Sequence, residues 1–119
     1  MTTKTDSLDV AVVAARTADD KQGLDTIVVQ VGEILAITEY FVVTSAPNRR
    51  LVRAIADEIE TRVKEECDRS PGRVEGHREQ QWVLIDYGDV VVHVFLQETR
   101  DFYEIERLYK DAPRCEWRA

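Results

Sequence analysis

Cysteine, histidine and glycine are all scarce in this sequence. The two cysteines, Cys67 and Cys115, stand far apart and form no CxxC pair. That excludes a zinc ribbon and a disulfide framework. Both are expected as thiols in a reducing compartment, with an intersubunit disulfide at Cys67 left open. The histidines are His77 and His93. With Asp86 they make too few ligands for a metal site, so no metal and no cofactor is expected. None of the five glycines belongs to a phosphate-cradling loop. No apolar run approaches the length that spans a bilayer. The opening "MTTKTDSLDVAVV" lacks the basic-then-apolar layout of a secretory signal, so the expected location is cytoplasmic. Basic residues are in deficit, 16 against 23 acids, for a net charge of −7. A broad nucleic-acid grip needs the opposite sign, so no direct specific nucleic-acid binding is expected. An acidic surface is instead steered towards a basic protein.

What is present is ordinary for a globular chain. The 119 residues, 44% hydrophobic and 33% charged, suffice for one domain and not for two. The folded core is expected over about 5–110, with 111–119 as a tail. Residues 7–18 read as a helix capped by Ser7, with Leu8, Val12 and Ala15 on one face. Residues 24–32 and 40–45 are rich in β-branched side chains and read as strands, with "EILAITEY" a connection. The longest helical signal follows Pro47, where Leu51, Ile55, Ile59 and Val63 recur every fourth residue and Val52 and Cys67 extend the stripe. Residues 68–81 have no period and read as a loop. A hairpin follows, then a helix with Phe102, Ile105, Leu108 and Tyr109 on one side. The order α-β-β-α-β-β-α predicts an α/β fold: a single domain with a small mixed sheet flanked by helices. The middle strand–helix–strand is expected to be a parallel crossover, and the last two strands antiparallel.

The hairpin is the chemically informative part. With Gly88–Asp89 as a two-residue turn, Asp86 faces Val91, Leu84 faces His93 and Trp82 faces Phe95. Trp82, Leu84, Asp86, Val91, His93 and Phe95 then share one face, and Val83, Ile85, Tyr87, Val90, Val92 and Val94 form the drier one. Asp86 and His93 become diagonal neighbours, roughly 7 Å apart at the backbone. They read either as a hydrogen-bonded brace for the hairpin or as part of a docking surface.

The stretch "EGHREQQWVLIDYGDVVVHVFLQETRDFYEIERLY", with "ITEYFVVTS" and "RAIADEIE" before it, resembles the ribosomal silencing factor family, also called Iojap. The matching positions are Glu75, Gly76, Trp82, Asp86, Tyr87, Gly88, Asp89, His93, Arg100, Tyr103 and Glu106, with Arg50 earlier. The resemblance implies a non-enzymatic translation repressor. Such a protein binds the large ribosomal subunit through ribosomal protein L-fourteen and blocks joining of the small subunit when nutrients are scarce. It also implies a nucleotidyltransferase-like fold and a homodimer when free. Two positions depart from the family. "APN" stands where a Gly-Thr-Ser type turn is usual, and Leu108–Tyr109 stands for a usual Leu-Trp, so any role for that indole N–H is lost.

Two alternatives stand beside the silencer: a nucleotidyltransferase-like enzyme, and a dimeric adaptor with another basic partner. The enzyme chemistry needs a Gly-Ser turn and paired carboxylates on a strand. "TSAPNRR" supplies no such turn, and Asp86 and Asp89 are split by the hairpin turn. The resemblance implies that Glu75, Gly76, Trp82, Asp86, Tyr87 and His93 belong to a partner-binding surface, with Trp82 and Tyr87 expected as its aromatic anchors. Arg49, Arg50 and Arg53 read as an anion contact or as a solvated basic patch, the latter favoured because cations oppose the dipole at a helix start. Cys115 and Trp117 in the tail are assigned nothing.

Overall fold

A computed structural model describes residues 6–118. The chain runs α1 (Ser7–Asp20), β1 (Leu24–Gln30), β2 (Tyr40–Ala46), α2 (Arg49–Cys67), β3 (Arg73–Glu75), β4 (Trp82–Asp86), β5 (Val90–Leu96), α3 (Gln97–Tyr103) and α4 (Ile105–Leu108). The sheet is five-stranded in the order β1-β2-β5-β4-β3, so the α/β fold with a mixed sheet flanked by helices holds. Among the described residues no helix is long and apolar enough to cross a membrane.

The central pair, β2 and β5, is parallel, and every other pairing is antiparallel. The expected parallel crossover is therefore corrected. Helix α2 carries the chain from β2 past the position of β5, and β3 and β4 run back before β5 fills the gap beside β2. The strand expected to close the crossover, β4, runs opposite to β2, and the parallel partner hydrogen-bonded to β2 is β5. The loop expected over 68–81 is also corrected, because Arg73–Glu75 pairs with Leu84–Asp86 as an edge strand. Strand β3 is only three residues long and carries two charges, which blunts the edge against unwanted pairing.

The sheet has two unequal faces. Helices α1 and α2 cover one with a continuous apolar core built on Ile55, Ile59, Val63, Val83, Ile85 and Val92. The α2 stripe is the one its spacing predicts, and Asn48 caps the helix by accepting from the Leu51 amide at 2.8 Å. Helix α1 differs from expectation. Asp6 caps it, and its buried stripe is Val10, Ala11, Ala14, Ala15 and Ala18 rather than Leu8 and Val12. The alanines let α1 lie close to α2.

The other face holds a smaller core of Val29, Val31, Phe41, Val43, Phe95, Ile105 and Ala112. It is roofed by the 31–39 connection and the C-terminal segment. The final helix, expected to be continuous, breaks at Glu104, which sits in the left-handed region at φ 48°. The break leaves Ile105 buried and turns Phe102 and Leu108 out to 79% and 73% exposure, so the expected one-sided stripe does not form. The tail is ordered too: Cys115 N–H donates to Val28 O, Gln30 N–H donates to Pro113 O, and Trp117 is buried in the larger core. The folded core thus reaches well past the expected limit.

Candidate functional site

The β4–β5 register is the one the two-residue turn requires: Trp82 opposite Phe95, Leu84 opposite His93, Asp86 opposite Val91. Gly88 takes φ +93°, which only a residue without Cβ adopts cheaply, and the Asp86 side chain accepts from its amide at 2.8 Å. Asp89 ties the turn to the rest of the fold. Its carboxylate accepts from Arg69 at 2.6 Å and from the Ser7 hydroxyl at 2.6 Å. Burial pushes the Asp89 carboxyl up, but the Arg69 and Ser7 hydrogen bonds and the Arg69 charge outweigh it and leave the group below its usual range. Asp86 and Asp89 thus serve different partners and form no carboxylate pair.

Of the two readings of Asp86 and His93, the hydrogen-bonded brace does not form. The Trp82 indole N–H donates to His93 Nδ1 at 3.1 Å, while Asp86 turns to Gly88 and lies 3.6 Å from Arg73. The alternation puts Asp86 and His93 on one face as expected. His93 lies deep among the rings of Phe41, Trp82 and Phe95, and the donor that reaches it there is the Trp82 indole. Burial pushes the imidazole down to about 4. It is neutral at physiological pH, and because Nδ1 accepts, Nε2 carries the proton.

Two adjoining concavities open on this face. One, of about 350 Å³, is lined by Leu35, Ile37, Thr38, Phe41, Leu84 and Val91, with Arg73, Asp86, Gly88 and His93 completing it. The other, of about 300 Å³, is lined by Glu75, Gly76, Trp82 and Leu84. Leu84 belongs to both. The structure thus brings together Glu75, Gly76, Trp82, Asp86 and His93 from the six residues assigned to partner binding. Tyr87 is the exception and is a correction: strand alternation turns it to the helix-covered face, where it is buried. Burial raises its hydroxyl well above the usual range. Gly76 has its own structural reason, since at φ +81° any Cβ would collide with the Trp82 carbonyl oxygen.

The arginines at the start of α2 do not converge on this groove. Arg49 lines a separate cleft with Glu98, Phe102 and Tyr103, Arg53 lies 3.7 Å from Asp57, and Arg50 is exposed. His77, from the 68–81 segment, also meets Asp57, at 2.9 Å.

The groove contains residues that sequence reasoning misses. Leu35, Ile37 and Thr38 come from the connection before β2, and Arg73 from the unexpected edge strand. The one available signal is the apolar content of "EILAITEY", unusual for a polar connection. Arg100 matches the family pattern, but the sequence gives it no task. It is buried and donates to the Leu24 and Asp25 carbonyls, the Ser45 hydroxyl and Glu106. The β1–β2 register shifts between Leu24 and Ile27, with Asp25 at φ 48°. Arg100 satisfies the two carbonyls at that irregularity.

Residues 4–119 match the protein family described as ribosomal silencing factor during starvation. The ribosomal silencing factor of Bacillus subtilis is 38% identical over 104 residues, 85% of each chain. A mouse protein named mitochondrial assembly of ribosomal large subunit protein 1 is 33% identical over 87 residues, 71% of this chain and 38% of that longer one. A crystal structure of a Chromobacterium violaceum protein superposes with a TM-score of 0.85 at 29% identity, covering 97% of this chain and 94% of the other.

Proposed function

From a chain that belongs to the ribosomal silencing factor family, we propose a translation repressor that docks on the large ribosomal subunit through the half-open sheet face. The docking partner is ribosomal protein L-fourteen, and the bound protein sterically blocks the small subunit during nutrient limitation. The repressor acts in the cytoplasm and is not an enzyme. The observation that carries this reading is the convergence of family-motif residues on one surface. Glu75, Gly76, Trp82, Asp86 and His93 come from three separate segments and line two concavities that share Leu84. A role confined to folding would not require them to meet at an open groove. The name of the mouse relative supports the large subunit as the partner class. The net charge of −7 suits a basic ribosomal protein.

Sedimentation of the pure protein with each purified subunit tests this. Co-migration with the large subunit and not the small one is expected. Co-migration with neither, at micromolar protein and low salt, sinks the reading.

A homodimeric free state, or an adaptor built on one, is favoured by a separate observation. Ile37, Phe102 and Leu108 are each more than 70% exposed, apolar surface that a second copy of the chain could cover. Light scattering over a concentration series should return twice the chain mass, and a monomer mass throughout would count against it.

A further inference from the structure

Two polar atoms on side chains that line the larger concavity are covered from water and have no hydrogen-bond partner among the described residues: His93 Nε2 and Thr38 Oγ1. Both residues line the same groove, and both are more than nine-tenths buried. Each unpaired atom costs stability in the isolated protein, because it loses its hydration and gains nothing in return. The two atoms are chemically complementary. The Trp82–His93 hydrogen bond makes Nε2 a donor. A threonine hydroxyl can accept as well as donate. A peptide backbone presents the matching groups, a carbonyl and an N–H.

The rest of the groove narrows the occupant further. Leu35, Ile37, Leu84 and Val91 make an aliphatic wall. At its mouth Asp86 uses one oxygen for the Gly88 amide, and the other is only 3.6 Å from Arg73, which also serves Glu75 at 3.1 Å. Two carboxylates therefore share one guanidinium, and the mouth keeps a net negative charge that complements a cation.

We propose that this groove holds a peptide segment of a protein on the large subunit. As it docks, the segment shifts the side chains that cover His93 Nε2–H and Thr38 Oγ1 and sets backbone polar groups on them, with an aliphatic side chain against Leu84 and Val91 and a lysine or arginine at Asp86. This rests on the docking reading above and deepens it by naming the recognition chemistry. The Trp82 indole then acts twice: it walls the neighbouring concavity, and it holds the His93 proton on Nε2.

The test uses Thr38→Val and His93→Phe, with Thr61→Val on the exposed side of α2 as control, in pelleting titrations with purified large subunits. Thr38→Val keeps shape and removes one unpaired hydroxyl. Its melting temperature should stay level or rise while its Kd rises about five- to tenfold, the scale of one lost hydrogen bond. His93→Phe should weaken binding at least as much. Asp86→Asn should flatten the salt dependence of binding, and Thr61→Val should change nothing. Folded Thr38→Val and His93→Phe proteins that both bind within twofold of the wild type overturn this proposal while the docking reading stands. The proposal also falls if these variants change the self-association mass and leave subunit binding unchanged, since a second copy is then the occupant. A wild type that does not pellet overturns the docking reading and this proposal together.

Discussion

His93 shows how a single side chain couples the hairpin to its surroundings. It sits among Phe41, Trp82 and Phe95 at 4% exposure, and the nearest charged groups of the groove are Asp86 and Arg73 at its mouth. Its folded-state value of about 4 lies below the unfolded value of 6.5, so the unfolded chain takes up a proton first as pH falls. Stability from the neutral imidazole is fully present above about pH 6.5. It declines as pH drops through the window to about 4, by on the order of 3 kcal/mol in total. Denaturant unfolding at pH steps across that window should show the decline, and His93→Phe should remove that component. Asp89 acts in a separate window, because its lowered carboxyl loses stability only as pH falls below the usual carboxylate range. A decline in His93→Phe as steep as in the wild type would move the effect to other groups. Trp82 cannot be read as a pure surface anchor, since its indole also holds this imidazole.

At the scale of elements, the C-terminal segment behaves as a sixth, irregular edge. Residues 113–115 hydrogen-bond along β1 through Gln30, Val28 and the Val29–Arg114 bridge. Trp117 then turns into the main core, where its indole donates to the Thr26 carbonyl at 3.2 Å and its own carbonyl accepts from Arg16. Covering β1 in this way removes one of the two open edges of the sheet. Trp117→Ala should cost about 3–5 kcal/mol, the range for a buried tryptophan, measured by urea unfolding. A cost below about 1 kcal/mol would mean the segment is only loosely attached.

At the scale of the molecule, the charge distribution governs encounter more than grip. A chain of net charge −7 approaching a basic protein surface is steered by long-range attraction, which salt screens. Stopped-flow association with large subunits should therefore slow several-fold between about 50 and 300 mM salt, with a smaller change in dissociation. A rate that rises with salt would point to like-charged surfaces, such as exposed ribosomal RNA, as the first contact. The two faces divide the work. The helix-covered face holds most of the core, and the thinner cover on the other leaves Leu84, Val91 and Ile37 available.

Local pattern determined a good deal of this protein. The α2 stripe, the β4–β5 register and the division of hairpin side chains between two faces follow from periods of 3.6 and 2 and from a Gly-first turn, none of which needs a distant neighbour. Trp82, Leu84, Asp86, Val91 and His93 were legible in the groove for the same reason, as one face of a hairpin, while Glu75 and Gly76 were legible only through the family resemblance. The tertiary structure decided what depends on partners far along the chain. The place of β5 between β2 and β4 is a matter of pairing, which the order of elements leaves open. Strand β3 is too short to carry a period of its own. Glu104 breaks the last helix so that Ile105 can reach the smaller core and Arg100 can meet Glu106. His93 chose Trp82 over Asp86 because burial among rings favours a neutral donor over a carboxylate. That preference is a property of the surroundings, and the surroundings exist only once the chain has folded.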